Sequence, residues 1–547
     1  MELRRVAVIG GGPGGLYAAR LLKRARPSCQ VVVYEQSRPG DTFGFGVGLA
    51  ARTRERLAEA DEETLREIEL GTRQHAMQMR VRGEVSKVAS RAQIGIARPR
   101  LLDVLHRHAA EAGVDVRFGQ RMAASEIDAD LIIAADGVSS ATRINEPAFG
   151  GSVRLGAGLY LWAATDFALE TSLFEPVETE HGVFVTHAYP YQSDRSTFLI
   201  ETDPATLKRA RLDRHAEGDE SGSDSDSLRY LESAFTEALH GHRLIGNRTR
   251  WSRFRTVRAQ KWHHGNVVLL GDAAHTAHYS VGSGTKMAME DAIELVRALT
   301  DFNRLDEALR RYEAVRRPAV ERIQDLAHRS QLWWESFPQR LDLPIAQLMN
   351  CYMSRAGNVP PARFARSNPD VMSTALSDYA GRRISVAELQ SVDLNTWVLE
   401  QPLDDGLLTT RASGRILPQG DPEAHKELTI VEQCVEGPWS SEADDLLEDL
   451  SKNRPQGFLL VGPADRPAVL DRLDFGERLR KRTGGLVALS LPEALEDDAV
   501  AGLISGRIDL VQFDRPASSP RHTNVEAFAP GSANANASVA NAAAAAI

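Results

Sequence analysis

A chain of 547 residues is too long for one ordinary domain. At 42% hydrophobic and 26% charged, with a mean hydropathy of −0.30, it has the composition of a globular protein with a sizeable core, in two or three domains. The net charge of −10 argues against a general nucleic-acid partner, although a local basic pocket on an acidic protein can still take an anionic substrate.

Residues 4–9 (RRVAVI) read as a buried parallel strand, followed by a helix from about Gly14 to Arg26 and a second strand at Val31–Tyr34, a β-α-β unit. No signal peptide precedes that strand. A helical period with Leu101, Leu102, Leu105 and His108 on one face covers about 96–112, and DLIIAA at 130–135 is another apolar strand. Over 155–201 the segments LYLWAATDF, GVFVTHAY and STFLIE predict an antiparallel sheet. The acidic, serine-rich stretch 217–227 is a surface insertion. VVLL at 267–270 returns the chain to the first sheet, and helices follow at about 287–300 and 305–329.

The expected organisation is a 1–330 nucleotide-binding and catalytic domain with a substrate-side sheet at about 150–260. A 331–402 helical connector, a 403–515 βα segment and a 516–547 disordered tail follow. Cys29, Cys351 and Cys434 form no CxxC pair and no metal spacing, so no metal is expected and a reducing, cytoplasmic compartment is the simple reading. No apolar run approaches the roughly 20 residues a membrane helix needs.

The chemistry begins at Gly10-Gly11-Gly12-Pro13-Gly14-Gly15. This G-x-G-x-x-G follows a predicted strand, opens a helix, and has Glu35-Gln36 at the end of the next strand. Gly10 permits the turn, Gly12 lets backbone approach a pyrophosphate, Gly15 allows close helix–strand packing, and Glu35 suits ribose hydroxyls. A second unit runs from Asn266 through Gly271-Asp272-Ala273-Ala274-His275 to Gly282-Ser283-Gly284-Thr285. Asp272 can accept from a ribityl hydroxyl, and the helix beginning near Thr285 can aim its positive end at a flavin pyrimidine ring.

With Asp136-Gly137 in DLIIAADGVSSATR, Arg98 ahead of the Leu101/Leu105 helix, and the closing Tyr312–Pro318 stretch, these motifs make residues 1–330 resemble the single-component FAD aromatic monooxygenases of the para-hydroxybenzoate hydroxylase type. The resemblance implies a fold class of α/β (α+β overall): a Rossmann-like FAD-binding domain with an inserted antiparallel-sheet substrate domain. It implies bound FAD, transient NADH or NADPH, and O2, with a flavin C4a-hydroperoxide delivering oxygen to an electron-rich ring. It also implies cofactor roles for Asp136 and Arg98. The absence of a second G-x-G-x-x-G agrees with transient reductant binding.

GDAAHTAHYSVGSGTKMAMEDAI, with His278-Tyr279 where Pro-Pro is usual, resembles the salicylyl-CoA 5-hydroxylase and 2-aminobenzoyl-CoA monooxygenase branch, with the violacein-pathway hydroxylases nearby. That implies a CoA-linked small aromatic substrate and 5-hydroxylation of salicylyl-CoA. A free phenolic acid, 2-aminobenzoyl-CoA or an indole-derived metabolite are the alternatives. The stretch ERLRKRTGGLVALSLPEALEDDAVAGLISGRIDLVQFDRP resembles the last units of an Old Yellow Enzyme-like barrel. About 110 residues are too few to close one, so a truncated remnant without FMN is expected.

His278 and Tyr279 are the candidate catalytic pair, with cavity-wall packing an equal alternative. His275 reads as structural. Phe43, Phe45, Arg253 and Arg255 are candidate substrate contacts, set against loop packing for the phenylalanines and a solvated face for the basic run Arg248–Lys261. Trp333-Trp334 reads as packing between the helices that follow the motifs.

Overall fold

The structure is a computed structural model that describes residues 2–42, 44–88, 94–213, 222–282, 284–403, 414–419, 428–432, 437–452 and 456–514. The chain packs as two compact units, one reaching Pro338 and the other beginning at Gln339.

In the first unit, six strands form a sheet in the order His263–His264, Val267–Leu269, Leu131–Ala134, Arg5–Ile9, Gln30–Glu35, Asp115–Phe118. All neighbours are parallel except the first pair. The strands are runs such as VAVI and LIIA, buried on both faces by helices, which explains why they do not alternate. Leu16, Leu22, Leu101, Leu105, Leu295 and Leu299 of the flanking helices share one core with Val8, Val33 and Ile133.

A second, eight-stranded, mostly antiparallel sheet is built around Gly151–Thr165, Arg195–Thr202, Gly182–Gln192 and Ser172–Thr179. The Ser252–Ala259 strand pairs along the outer part of Gly151–Thr165. Here residues alternate. Leu161, Ala163, Phe184, Ala188, Phe198 and Ile200 bury one face beneath Leu207, Leu228, Leu231 and Phe235. A third, three-stranded sheet joins Gly46–Leu49, Ile94–Ala97 and Thr72–Gln74.

The last helix of the first unit runs Leu305–Glu335. It continues six residues beyond the expected end at Arg329, because Gln331–Glu335 has packing partners on the eight-stranded sheet. Gly156 passes so close that a Cβ would lie 2.2 Å from Gln331 Nε2. Glu335 Oε1 accepts from the amides of Ala157 at 2.9 Å and Gly158 at 3.0 Å. These two contacts hold the bulge between Leu155 and Leu159. Trp333 and Trp334 lie against Phe174 of the sheet, with ring centroids 6.5 and 4.6 Å away.

The second unit contains helices Ile345–Ser354, Pro361–Ser367, Pro369–Ala380, Val386–Ser391 and Leu394–Glu400. They are followed by four parallel strands, Leu428–Glu432, Gly457–Val461, Leu486–Pro492 and Leu510–Asp514, each hydrogen-bonded to its neighbour in chain order. The first of these strands and the helix Ser441–Lys452 escaped the sequence reading. Residues 217–221 of the acidic insertion, Phe43, Ser283 and everything after 514 lie outside the described residues. No described helix is long and apolar enough to cross a membrane.

Candidate active site

Strand register brings the dinucleotide motifs together. Ile9 is level with Ala134, and Ala134 is level with Leu269. The loops at Gly10–Gly15, Asp136–Gly137 and Gly271–Asp272 therefore leave the carboxyl edge of the sheet side by side, where an open α/β sheet binds its ligand.

The glycines of the first loop divide by what surrounds them. Gly10 sits at φ +104°, and a Cβ there would lie 2.2 Å from the Ala135 carbonyl oxygen. A Cβ on Gly15 would lie 2.1 Å from the Gly10 carbonyl, and one on Gly14 2.6 Å from Leu270. These three are required by packing. A Cβ on Gly12 would meet nothing within 4 Å, and the same holds for Gly137 and Gly284. Open space at those three glycines, beside the N-terminus of the Pro13–Ala25 helix, is a cradle for a bulky anionic ligand. Pro13 occupies the first helical position, where its missing N–H costs nothing.

The side chains around the cradle fit a dinucleotide. Glu35 accepts from the amides of Gly11 and Ser37, both at 2.7 Å, which fixes its carboxylate at the end of its strand while leaving acceptor capacity. Gln36 beside it is exposed. Asp136 Oδ2 accepts from Thr142, whereas its buried Oδ1 has no protein partner. Arg98 heads the helix Arg98–Glu111, and its buried Nε likewise lacks one. Unsatisfied buried donors and acceptors are costly unless a ligand completes them. Asp272 is solvent-accessible but crowded by protein; that desolvation raises its carboxyl above the usual range, with His275 and Arg98 opposing. Burial lowers the Arg98 guanidinium, against the pull of Asp272 and Tyr189. Gly284 and Thr285 begin the helix Gly284–Asp301, both half-buried.

Two supports of this site were not apparent in the sequence. Arg143 donates to the carbonyls of Ala273 and Val138, both at 2.7 Å, and so ties the Gly-Asp turn to the Asp136–Gly137 loop. Asp291 holds Gly271 N at 3.1 Å, His275 Nε2 at 2.7 Å and Arg316 Nε at 2.8 Å, all buried. Burial alone would raise Asp291; His275 and Arg316 outweigh it and hold the carboxyl below its usual range. Trp262 stacks on His275 at 4.9 Å. His275 is thus a structural residue, and the Tyr312–Pro318 stretch matters because it supplies Arg316.

The second side of the site is the other face of the eight-stranded sheet, part of which carries Trp333 and Trp334 of the Leu305–Glu335 helix against Phe174. Alternation puts Tyr160, Trp162, His187, Tyr189, Leu199 and Glu201 on it. Tyr160 is directly opposite Glu201. Tyr189 donates to Gly46 O at 2.9 Å, and a Cβ on Gly44 would lie 3.1 Å from the Trp162 ring, so the Gly44–Gly46 loop lies against this face. Phe45 packs with Ala97, Ala164 and Tyr191.

Tyr279 meets Tyr160 edge-on at 5.0 Å and has the Glu201 carboxylate nearby. Burial, with Glu201 beside it, pushes its phenol well up. His278 is buried against Phe254, and its Nδ1 engages Ser280 at 2.8 Å. Arg253 and Arg255 are exposed and form no ion pair among the described residues; Arg255 reaches Ser139 Oγ at 3.1 Å. Among the described residues no cluster suited to a metal occurs.

Residues 4–327 match the family model described as FAD binding domain. The chain is 43% identical over 339 residues to the salicyloyl-CoA 5-hydroxylase of a Streptomyces species, matching 61% of this chain and 66% of that one, just under two thirds of its length. It is 38% identical over 357 residues to the 3-hydroxy-4-methyl-anthranilyl-[aryl-carrier protein] 5-monooxygenase of Streptosporangium sibiricum, matching 65% of this chain and 95% of that one. Among solved structures it resembles 2-methyl-3-hydroxypyridine-5-carboxylic acid oxygenase, with TM-score 0.50 and 20% identity over 71% of this chain and all of that one, a likeness of fold.

Proposed function

We propose, from the premise that this chain belongs to the FAD binding domain family and is an FAD-dependent aromatic monooxygenase, that it hydroxylates a CoA-linked aromatic ring, converting salicylyl-CoA to gentisyl-CoA with NADH and O2. The observation that carries the reading is the pairing of the open glycine cradle and its unsatisfied Arg98 and Asp136 atoms with an aromatic sheet face. Support for a carried aryl group comes from the two relatives above, one named for a salicyloyl-CoA substrate and one for an anthranilyl group on an aryl-carrier protein.

Bound FAD, reduced by the nicotinamide, supplies an electrophilic oxygen from O2. The protein's part is placement and charge. Gly12 and the Pro13–Ala25 helix end would hold the pyrophosphate, Glu35 the ribose, Asp272 a ribityl hydroxyl, and the Gly284–Asp301 helix end the pyrimidine edge. Tyr160, Trp162 and Tyr279 orient the ring and exclude water. The salicylyl hydroxyl is para to carbon 5, so its electron density is greatest where oxygen is added. Arg253 and Arg255, exposed and without carboxylate partners, suit the phosphates of the CoA arm.

The four parallel strands of the second unit follow one another in chain order, as barrel strands do, which supports reading it as a shortened Old Yellow Enzyme-like remnant of structural role. NADH oxidation and product mass with salicylyl-CoA and with free salicylate test the main reading: the thioester is hydroxylated and salicylate is not. Hydroxylation of salicylate alone overturns the CoA assignment.

A further inference from the structure

Glu201 and His187 are buried ionisable groups to which the assignments above give no work. They lie on adjacent antiparallel strands, two register positions apart, with Glu201 opposite Val185 and His187 opposite Leu199, so both side chains project to the same face. His187 Nε2 approaches Glu201 Oε1 to 3.1 Å, within ion-pair range, with the N–H not aligned for an ideal hydrogen bond. The two side chains are 19% and 12% exposed. Trp334 lies over the imidazole at 3.6 Å, Phe174 meets its edge at 5.8 Å and Tyr279 at 6.5 Å, so the ring is wedged in place. Its other nitrogen, Nδ1, has no protein partner among the described residues.

We infer that His187 is the base that takes the proton of the substrate's ring hydroxyl, and that Glu201 is the positioning residue that orients His187. The inference rests on the aryl-thioester reading only for the identity of the ring. The step balances simply. The ring O–H bond breaks, its electron pair stays on oxygen as the phenolate, and the proton goes to His187 Nδ1 and later to water. A carboxylate behind the imidazole holds it in orientation, as in other carboxylate–histidine pairs.

The surroundings leave Glu201 as the fitting counter-ion. Tyr160 faces it from the neighbouring strand, and burial raises that phenol so that it stays neutral. Tyr279 is neutral for the same reason, and Glu201 beside it raises the phenol further. His278 lies on the same loop, and Glu335, on the Leu305–Glu335 helix, is engaged by the Ala157 and Gly158 amides. Burial would raise Glu201, but His187, His278 and the Tyr279 hydroxyl together hold it below the usual carboxylate range, so it is anionic at neutral pH.

The test uses the FAD holoenzyme with Glu201→Gln and His187→Gln. With salicylyl-CoA, kcat falls about 100-fold at neutral pH, KM changes less than about threefold, and the lost rate returns as pH rises and the phenol ionises unaided. With 2-aminobenzoyl-CoA, which has no phenolic proton to give, the loss is under about threefold. Equal losses on both substrates, or an unchanged pH profile, overturn the inference. A second readout needs no thioester. The wild-type holoenzyme holds 4-nitrophenol as the coloured phenolate below its solution pKa, and both variants lose that shift. If the nitrophenol is not bound, or ionises identically in all three proteins, the dyad is wrong. If wild type ionises it but turns over neither thioester, the substrate reading fails and the dyad stands.

Discussion

The two walls of the site are made in different ways. On the dinucleotide side the working surface is backbone: glycines, helix ends and strand termini placed by the register Ile9–Ala134–Leu269. On the aromatic side it is side chain: Tyr160, His187, Glu201 and Tyr279, drawn from three strands and a loop. Backbone surfaces depend on the absence of atoms and tolerate few substitutions, whereas side-chain surfaces can be re-equipped residue by residue. The first wall carries the motifs of the family, and under the proposed function the second chooses the ring.

Substitutions can break that contrast, and the largest effect lies behind the first wall. Arg316→Met takes the guanidinium from buried Asp291 and Glu290, leaving them with His275 and Arg56, which costs about 3–5 kcal/mol and frees the Gly271 turn. Denaturant unfolding should show the loss, with FAD released early. Gly15→Ala drives a methyl into the Gly10 carbonyl and should cost about 3 kcal/mol, measured in the same way.

Acid probes the same buried network. Asp291 has a depressed folded-state pKa, so its contribution is fully present above the ordinary carboxylate value of about 4 and is lost as pH falls below it. Thermal melts of wild type should drop across that window, and Asp291→Asn should start lower and lose less. Smallest in stability is Gly12→Ala, whose methyl enters open space. Its unfolding free energy without FAD should stay within about 1 kcal/mol of wild type while FAD affinity falls about tenfold. An equal loss of stability at Gly12 and Gly15 would remove the distinction between cradle and packing.

The same contrast explains what the sequence disclosed. The strand–glycine–helix units, the helix at Arg98 and the Gly271–Asp272 turn are local patterns, each contained within a few tens of residues, and they fold as read. The Arg143 clamp joins residues 130 apart, and nothing in SSATR marks it. His187 and Glu201 looked like polar residues in alternating strands; only the hairpin register makes them neighbours. The extension of the last helix to Glu335 was hidden because its reason is the Gly156–Gly158 bulge, more than 170 residues earlier in the chain. Trp333-Trp334 reads as packing, but a contact with Phe174 of the sheet is not legible in the helix itself.

The most direct test of the account is product analysis of the purified yellow holoenzyme supplied with NADH, O2 and salicylyl-CoA. The account predicts substrate-dependent NADH oxidation and a thioester heavier by one oxygen, hydroxylated para to the phenol. NADH oxidation without a hydroxylated thioester, or a product formed only from free salicylate, would contradict it.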